Sequence, residues 1–362
     1  MNQRSRLLVL SPYPTDHVPG QRFRIEQWED VLEESGIDCT YSSCADPALM
    51  RVLFSPGHTL SKISGVLRGM VRQWRQLSVM DRPDAALVFR AASLAGPPVL
   101  ERSLARRQIP FVFDFDDAIF LLNSSSANRW FSRFKFPGKT KTLCHLSSHV
   151  TVGNAYLGDW AQTHNPRVTI IPSSVDLRLF SPHVRSASTE VIVGWTGSHT
   201  SQAYLEAVAP MLKRFLAANP RARLRVHSDK PPSLSGVAHE WRPWSPQTEV
   251  SEISQFDIGI MPMPDDAWSR GKCSMKALLY MAAGSVAVCS AAGHNLEVIQ
   301  NGVNGLLATG EGEWIDALSR LVEDEALRRR LGLAGRLTIE NGFSREACGR
   351  AFAAVVHGLV SA

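Results

Sequence analysis

Residues 257–307 constrain the fold more than any other part of the chain. Two short apolar runs in it, residues 258–263 and 286–289, are each followed by a polar loop and then by a helical pattern. An apolar run of this length, bounded by turn residues, is typical of a buried strand. Strand, loop, helix, strand, turn and helix in succession predict a parallel α/β sheet that holds a ligand at its strand ends.

Cationic residues follow the first of these two strands. Arg270 and Lys272 lie two positions apart in the loop, between the acidic pair Asp265–Asp266 and the next helix. Fixed cations and helix N-termini both favour bound anions. The loop therefore predicts a site for the diphosphate of a nucleotide, in which Arg270 and Lys272 stabilise the charge of the departing diphosphate. The alternative is an ordinary solvated loop.

The turn after the second strand supplies a further set of candidate phosphate contacts through its backbone N–H groups. The residues of this set are Gly293, His294, Asn295, Leu296 and Glu297. Gly293 allows a close approach of ligand and backbone, and the helix start favours an anion. Glu297 is either a further contact to the bound nucleotide, at its ribose or the group it carries, or only a favourable acid in a first helical turn. A simple strand-to-helix turn is the alternative for the whole segment.

Length and composition indicate a globular protein of two domains. The chain has 362 residues, of which 44% are hydrophobic and 20% are charged, values that are ordinary for a globular fold. Its apolar runs are shorter than the roughly 18 residues that span a bilayer, and the first one is too short for a signal-peptide core. The six cysteines form no C-x-x-C pair, so we expect a reduced, cytoplasmic protein without structural zinc.

Strands alternate with helices on both sides of a polar segment at residues 181–190. This alternation predicts an α/β protein of two Rossmann-like, doubly wound domains that face a cleft. We place an N-terminal domain at residues 1–183 and a C-terminal domain at 184–343. Residues 344–362 form a last helix that we expect to cross back to the N-terminal domain. Sheets of this kind bind ligands at the carboxyl ends of their strands.

Three positions at predicted strand ends of the N-terminal domain are candidates for the same cleft. Gly20 permits close approach to a ligand. Arg22 and Arg24 lie two apart, so on a helix they cannot share one face, and one of them is expected to face the cleft while the other pairs with an acid. In the C-terminal domain, Gly197 and Ser198 follow the first strand, where backbone amides can reach a phosphate, although G-x-G-x-x-G is incomplete.

An acidic triplet ends another buried strand of the N-terminal domain. Asp114, Asp116 and Asp117 follow the apolar run at residues 109–113, and we expect Asp117 to contact a sugar hydroxyl or the acceptor. Metal binding by a D-x-D pattern is the weaker alternative, since a hard cation needs further oxygen ligands. We therefore predict no metal site.

The net charge of +5 lies entirely in residues 1–180. A basic half indicates a negatively charged partner, and a nucleic acid is disfavoured because no nucleic-acid module is present. Residues 58–77 show apolar side chains at helical spacing with Lys and Arg between them. Such a helix either docks on an anionic membrane surface or packs on its own sheet. Residues 125–141, rich in aromatic and basic side chains, would add a second membrane contact.

Several fragments, in their order along the chain, together resemble a known family. They are SPYP (11–14), PGQRFRIEQW (19–28), FDFDDAIF (113–120), VGNAYL (152–157), IPSSVDLRLFSP (171–182), VGWTGSHTS (193–201), YMAAG (280–284), GHNLEVIQNGVNGLL (293–307) and EWIDALSRLVEDEALRRRLG (313–332). The chain resembles a GT-B glycosyltransferase of the family 4 kind, the glycosyl transferases group 1. The resemblance implies metal-independent, retaining transfer of a sugar from a nucleotide diphosphate to a glycan, lipid-linked or small-molecule acceptor, as in polysaccharide biosynthesis. It implies an acceptor on the first domain, a donor on the second and no cofactor besides that donor substrate.

The chain departs from the family at one place. The family commonly carries two glutamates eight positions apart that contact the donor sugar and the ribose, and matching YMAAG to the family puts Gly271 and Leu279 at those positions. Two alternatives therefore stay open. One is a non-catalytic nucleotide- or sugar-binding subunit, and the other is a nucleotide-sugar epimerase on the same fold.

Overall fold

A computed structural model describes residues 4–55, 57–121, 138–181 and 189–361. The chain divides into two compact units, Met1–Ser173 with Arg345–Ala362, and Ser174–Ser344. The division lies ahead of the polar segment that marks the boundary in the sequence. Each unit is a parallel α/β sheet with helices, so the predicted fold class of two doubly wound domains is confirmed.

The elements of residues 5–170 alternate as follows. They are β1 (Ser5–Ser11), α1 (Pro19–Arg24), α2 (Glu29–Glu34), β2 (Ile37–Ser43), α3 (Pro47–Leu53), α4 (Thr59–Val79), β3 (Ala85–Phe89), α5 (Val99–Arg106), β4 (Phe111–Phe115), α6 (Lys139–Leu146), β5 (His149–Val152), α7 (Ala155–Gln162) and β6 (Val168–Ile170). The strands form one parallel sheet in the order β2-β1-β3-β4-β5-β6. β3 and β4 are buried along their whole length, as central parallel strands are.

The elements of residues 191–342 repeat this design. They are β7 (Val191–Gly197), α8 (Gln202–Ala207), α9 (Ala209–Ala218), β8 (Ala222–Ser228), β9 (Glu240–Pro243), α10 (Glu249–Ile253), β10 (Ile258–Met261), α11 (Ala267–Arg270), α12 (Met275–Ala282), β11 (Val286–Ser290), α13 (Asn295–Val298), β12 (Leu306–Ala308), α14 (Glu311–Glu323) and α15 (Glu325–Gly342). Their sheet is also parallel, in the order β12-β11-β10-β7-β8-β9. The strands β11, β10 and β7 are therefore neighbours, and their carboxyl ends lie at one edge.

The last helix, α16 (Arg345–Val360), belongs to the N-terminal unit. The Phe352 ring lies 5.4 Å from the Trp28 ring, centroid to centroid. Arg345 donates a hydrogen bond of 2.7 Å from Nη1 to the Asp30 carboxylate. A buried aromatic contact and an ion pair therefore fix this helix beside α2.

Several boundaries differ from those expected from sequence. Residues 202–218 have the sequence pattern of a single helix, but the structure breaks it at Val208 into α8 and α9, with a proline in the first turn of α9. Residues 313–322 and 323–332 have the pattern of two short helices, and α14 and α15 are longer than this. The helix expected near His294 spans only Asn295–Val298. The sequence did not predict β2, β9 or β12, which are edge strands of their sheets, where burial gives a weaker pattern.

Two glycines bring the long helix α4 unusually close to its neighbours Leu49 and Cys44 in the N-terminal unit. A Cβ at Gly65 would lie 2.9 Å from Leu49 Cδ1, and a Cβ at Gly69 would overlap the carbonyl oxygen of Cys44. The face of α4 that carries the two glycines is therefore its packing face. None of the helices in the described ranges meets the length and hydropathy needed to span a bilayer.

We predict that Gly69→Ala lowers the melting temperature while Gly358→Ala does not. The added methyl group at position 69 meets a backbone oxygen that cannot rotate away, and such overpacking costs about 1–3 kcal/mol. Gly358 lies in α16 with nothing within 4 Å of the added atom, and alanine has the higher helix propensity. Thermal unfolding followed by circular dichroism measures both variants. Equal melting temperatures for the two variants would contradict the close packing of α4.

Candidate functional site

Three loops meet at the carboxyl edge of the C-terminal sheet. They follow β7, β10 and β11, which are neighbours in the sheet. The Lys272 ammonium, after β10, lies 6.0 Å from the centroid of the Tyr204 ring, after β7. Ser274 donates from Oγ to Asn295 Oδ1 at 2.7 Å, which joins the loops after β10 and β11. Side-chain contacts therefore hold the three loops together at the edge where ligands bind in such sheets.

Gly293 is required where two of these loops cross. Its φ of 52° lies in the left-handed region, which favours glycine. A Cβ at this position would lie 2.9 Å from Arg270 Cα and 3.2 Å from the carbonyl oxygen of Ser269. The glycine is therefore needed for the two loops to pack together. The sequence analysis had expected it only to allow the close approach of a phosphate.

Hydrogen bonds within the turn at residues 293–297 reduce the number of its N–H groups that can bind a phosphate. The N–H groups of Asn295, Leu296 and Glu297 donate to backbone carbonyls at 3.3, 3.1 and 3.0 Å. Leu296 points outward, with 57% of its surface exposed, and the Asn295 side chain is used in joining the loops. The amides of Gly293 and His294 remain the candidates for an anion.

The His294 ring is neutral at neutral pH. It is buried, and burial lowers the pKa of its imidazole to about 4. Its Nδ1 and the Oγ of the nearby Ser269 are buried and have no hydrogen-bond partner within the described part of the chain. Most buried polar atoms do have partners, so this corner retains unused hydrogen-bonding capacity.

The start of α12 has the features of an anion site. This eight-residue helix begins after Ser274, whose φ is 52°, and Ser274 makes no side-chain cap hydrogen bond. No acid lies in the first turn, which contains Lys276, whose ammonium lies 5.4 Å from the centroid of the Trp195 ring. The partial positive charge of the helix start is therefore accompanied by the cations of Lys272 and Lys276. The sequence analysis had placed this role on the shorter helix α13.

The two predicted clamp residues lie in different surroundings. Arg270 donates from Nε and Nη2 to the Asp265 carboxylate at 2.7 and 3.0 Å, and this pairing lowers the pKa of Asp265. The Lys272 ammonium lies over the Trp268 ring at 5.5 Å. A diphosphate would have to compete with Asp265 for Arg270, while the Lys272 ammonium lies beside two aromatic rings.

The loop after β7 is held by its own contacts. A Cβ at Gly197 would lie 2.6 Å from the Trp195 ring and 2.7 Å from Ser201 Oγ, so close packing alone explains this glycine. Ser198 Oγ lies at 2.7 Å from Thr200 Oγ1. The predicted phosphate contacts of Gly197 and Ser198 lie on the correct edge of the sheet and remain predictions.

In the N-terminal unit, Arg24 is the arginine that pairs with an acid. Its guanidinium is fully buried and donates from Nε and Nη2 to Asp114 at 2.9 and 2.7 Å. Thr151 donates from Oγ1 to the same carboxylate at 2.5 Å. Arg22 is half-buried, with its guanidinium 4.6 Å from the centroid of the Phe23 ring. Arg24 therefore has a structural role, and Arg22 remains the candidate for a ligand contact.

The sequence analysis missed Arg90, which organises the acidic end of β4. Arg90 directly follows β3 with a φ of 56°. It donates from Nε to Asp116 at 2.7 Å and from Nη2 to Asp117 at 2.8 Å. A Cβ at Gly20 would lie 3.4 Å from Arg90 Nη2, so the predicted residues Gly20 and Asp117 do lie together. A charged residue directly after a buried strand was the signal that could have identified Arg90.

The two positions without the family glutamates are both buried. Leu279 has 4% of its surface exposed and lies in the apolar face of α12, and Gly271 ends α11. In the described part of the chain, no three His, Cys, Asp or Glu side chains lie close enough together to hold a metal ion.

Comparison with known proteins gives a family match to part of the chain and a fold for the whole of it. Residues 190–324 match the model of the family described as glycosyl transferases group 1. Among curated proteins, none matches the sequence. Sucrose-phosphate synthase (tll1590) from Thermosynechococcus elongatus is similar in structure, with a TM-score of 0.72 and 15% identity over 99% of this chain and 100% of that one.

Two further structures cover nearly the whole chain. One is Alr3699/HepE from Anabaena, solved in complex with UDP and glucose, with a TM-score of 0.66 and 13% identity over 98% of this chain and 100% of that one. The other is a glycosyltransferase from Rickettsia africae ESF-5, with a TM-score of 0.65 and 13% identity over 99% of each chain. The predicted GT-B fold is confirmed.

We predict that Arg24→Ala destabilises the protein strongly and that Arg22→Ala does not. The first change leaves the Asp114 carboxylate buried without its guanidinium, which costs about 3–5 kcal/mol. For a unit of this size the melting temperature should fall by roughly 6–20 °C. Thermal unfolding measures both variants. A similar loss in the two variants would contradict the structural role of Arg24.

We predict a pH-dependent stability contribution from His294. Its folded pKa of about 4 lies below the ordinary value of 6.5, so the unfolded chain binds the proton more readily. The contribution is present above pH 6.5 and is lost as the pH falls towards 4, at about 1.4 kcal/mol per pH unit. The gap in melting temperature between wild type and His294→Gln should therefore narrow over this range. A gap that stays constant with pH would show that the ring titrates normally.

Proposed function

We propose that this chain, whose C-terminal unit carries a glycosyl transferases group 1 domain within a GT-B fold, transfers a sugar from a nucleotide diphosphate to an acceptor. The observation that carries the proposal is the start of α12, which has no side-chain cap and no acid in its first turn. Lys272 and Lys276 flank this helix start at the carboxyl edge of the sheet. Oriented N–H groups and fixed cations at a helix start are the features that bind phosphate.

The same arrangement suits the chemistry of the transfer. When the bond between sugar and diphosphate breaks, negative charge develops on the leaving phosphate. The Lys272 ammonium, the helix dipole of α12 and the amides of Gly293 and His294 would stabilise that charge. The positive charge of Lys272 and of the helix start would neutralise the leaving phosphate, as a metal ion does in other transferases. Arg270 joins them if the diphosphate displaces Asp265 from its guanidinium.

The proposed nucleotide is a uridine diphosphate. Alr3699/HepE, solved with UDP and glucose, shares the fold over nearly the whole of both chains, which supports UDP-sugars as the first donors to test.

The acceptor is proposed to bind the N-terminal unit, as in the family that the chain resembles. Asp117 and Arg90 lie at the carboxyl edge of that sheet, with 22% and 26% of their side chains exposed. A carboxylate paired with a guanidinium can accept a hydrogen bond from a sugar hydroxyl. Retention of configuration would follow if the acceptor hydroxyl attacks from the face that the diphosphate leaves, with the departing phosphate taking the proton. A glycan or lipid-linked glycan is the proposed acceptor class.

A non-catalytic binding subunit is the second candidate. It is favoured by Gly271 and Leu279 at the positions of the two family glutamates. Neither glycine nor leucine has a carboxylate, so these two positions cannot supply the acidic contacts to a donor. Contacts to the sugar would then have to come from other residues, such as the exposed Glu297.

The test is a thermal-shift titration with nucleoside diphosphates and their sugars, on wild type, Lys272→Ala and Lys213→Ala. Ligands that bind only the native state raise the melting temperature. We expect UDP to stabilise the wild type and Lys272→Ala to lose most of this shift, because a phosphate contact is lost. Lys213 is an exposed lysine on α9, away from the three loops, so its removal should leave the shift intact.

The outcomes separate the candidates. An unchanged shift in Lys272→Ala would contradict the phosphate assignment. Release of UDP from a UDP-sugar, lost in Lys272→Ala, supports a transferase, whereas measurable binding without turnover of any donor supports the binding subunit.

A further inference from the structure

One long helix of the N-terminal unit exposes an apolar stripe. The large side chains of α4 that are exposed, with their exposed fractions, are Leu60 (83%), Ile63 (37%), Leu67 (57%), Val71 (52%) and Trp74 (43%). They follow one another at spacings of three, four, four and three residues, so they lie on one face of the helix. The stripe spans most of a helix of 21 residues, which is about 31 Å long.

The opposite face of α4 is the one that packs on the unit. Gly65 and Gly69 bring the backbone against Leu49 and Cys44. On the same face, Gln73 donates from Nε2 to the carbonyl oxygens of Ser42 and Ala92, both at 3.0 Å. This packing face also buries Val66 and Leu77, while Leu60, Leu67 and Trp74 are exposed on the other face. An ordinary amphipathic helix exposes polar side chains there instead.

The exposed face of α4 is basic as well as apolar. Arg68 and Arg75 are exposed beside the stripe, while Arg72 folds back and donates to the carbonyls of Ser43 and Cys44 at 2.9 and 3.1 Å. The helix contains no aspartate or glutamate, and the whole net charge of +5 lies in residues 1–180. The partner of this face is therefore both apolar and negatively charged.

We propose that α4 docks the N-terminal unit on an anionic lipid bilayer. The stripe from Leu60 to Trp74 enters the boundary between headgroups and acyl chains, and Arg68 and Arg75 contact lipid phosphates. Helices with an apolar face and a basic edge lie in this plane of a membrane, and each arginine adds electrostatic attraction to an anionic leaflet. The proposal does not depend on the transfer reaction, since it uses only residues of α4.

A second copy of the chain fits this face less well. In a symmetric dimer the same patch meets itself, which would bring Arg68 and Arg75 of one copy against those of the other. Like charges brought together across an interface cost several kcal/mol. A bilayer with anionic headgroups supplies the opposite charge and accepts the apolar stripe at once.

The test is co-sedimentation of the full chain with phosphatidylcholine vesicles that do or do not contain phosphatidylglycerol. The variant Leu67→Glu/Val71→Glu places two carboxylates in the stripe. Its matched control is Leu333→Glu/Leu337→Glu, two leucines on α15 with the same spacing and exposed fractions of 64% and 56%. We expect wild type and control to bind the phosphatidylglycerol vesicles equally, and the stripe variant to lose at least tenfold in partition coefficient.

A second variant tests the charge separately. Arg68→Gln/Arg75→Gln keeps the stripe and removes two exposed cations, so binding to phosphatidylglycerol vesicles should fall roughly tenfold or more and depend less on salt. Circular dichroism shows whether each variant is folded before it is compared.

Three outcomes would overturn the proposal. Wild type that stays in the supernatant with both vesicle types has no affinity for lipid. Equal binding of wild type and the folded stripe variant places the contact elsewhere. Light scattering that finds a wild-type dimer, converted to a monomer by Leu67→Glu/Val71→Glu, would assign the stripe to a second copy of the chain.

Discussion

The candidate donor site depends on one side chain, Tyr280, which ties α12 to two strands at once. Its ring packs against Gly259 in β10, at a point where any side chain would overlap it. Its hydroxyl accepts a hydrogen bond from the Thr196 amide at the end of β7, at 3.0 Å, and donates to the Ile260 carbonyl at 3.3 Å. Because α12 carries Lys276 in its first turn, this contact fixes the distance between the cations and the loop after β7. The helix start can act as a preorganised anion site only because its core face is held in this way.

The order of elements in the C-terminal unit could be predicted from sequence because buried strands and helices have local patterns. The runs at residues 258–263 and 286–289 become β10 and β11, side by side as expected. The assembly of the site could not be predicted in the same detail. The contact of Ser274 with Asn295 and the position of Gly293 against Arg270 join residues about 20 positions apart, and no local pattern encodes them. The sequence placed the candidate site at this edge of the sheet and at the start of α13, and the structure adds the start of the longer helix α12 as a candidate.

The N-terminal unit shows the same limit for charged residues. The spacing of Arg22 and Arg24 correctly predicted that one of them pairs with an acid, because side chains two apart lie on different faces. Which of the two arginines pairs depends on which one faces Asp114, the fully buried acid of β4. That arginine is Arg24. Arg90 was missed although it directly follows a buried strand, because its partners Asp116 and Asp117 lie 26 and 27 positions away in the chain.

The helix α4 shows why an amphipathic pattern alone does not reveal which face is buried. The sequence analysis had left open whether its apolar side chains pack on the sheet or meet a membrane. The structure buries the face with Gly65, Gly69 and Gln73 and exposes Leu67. Glycine in a helix costs about 1 kcal/mol relative to alanine, and a leucine left exposed forgoes roughly 1.5–3 kcal/mol of burial. Both terms destabilise the isolated unit, so the arrangement is favourable when the exposed stripe has a partner of its own, and the arginines beside it indicate that this partner is anionic.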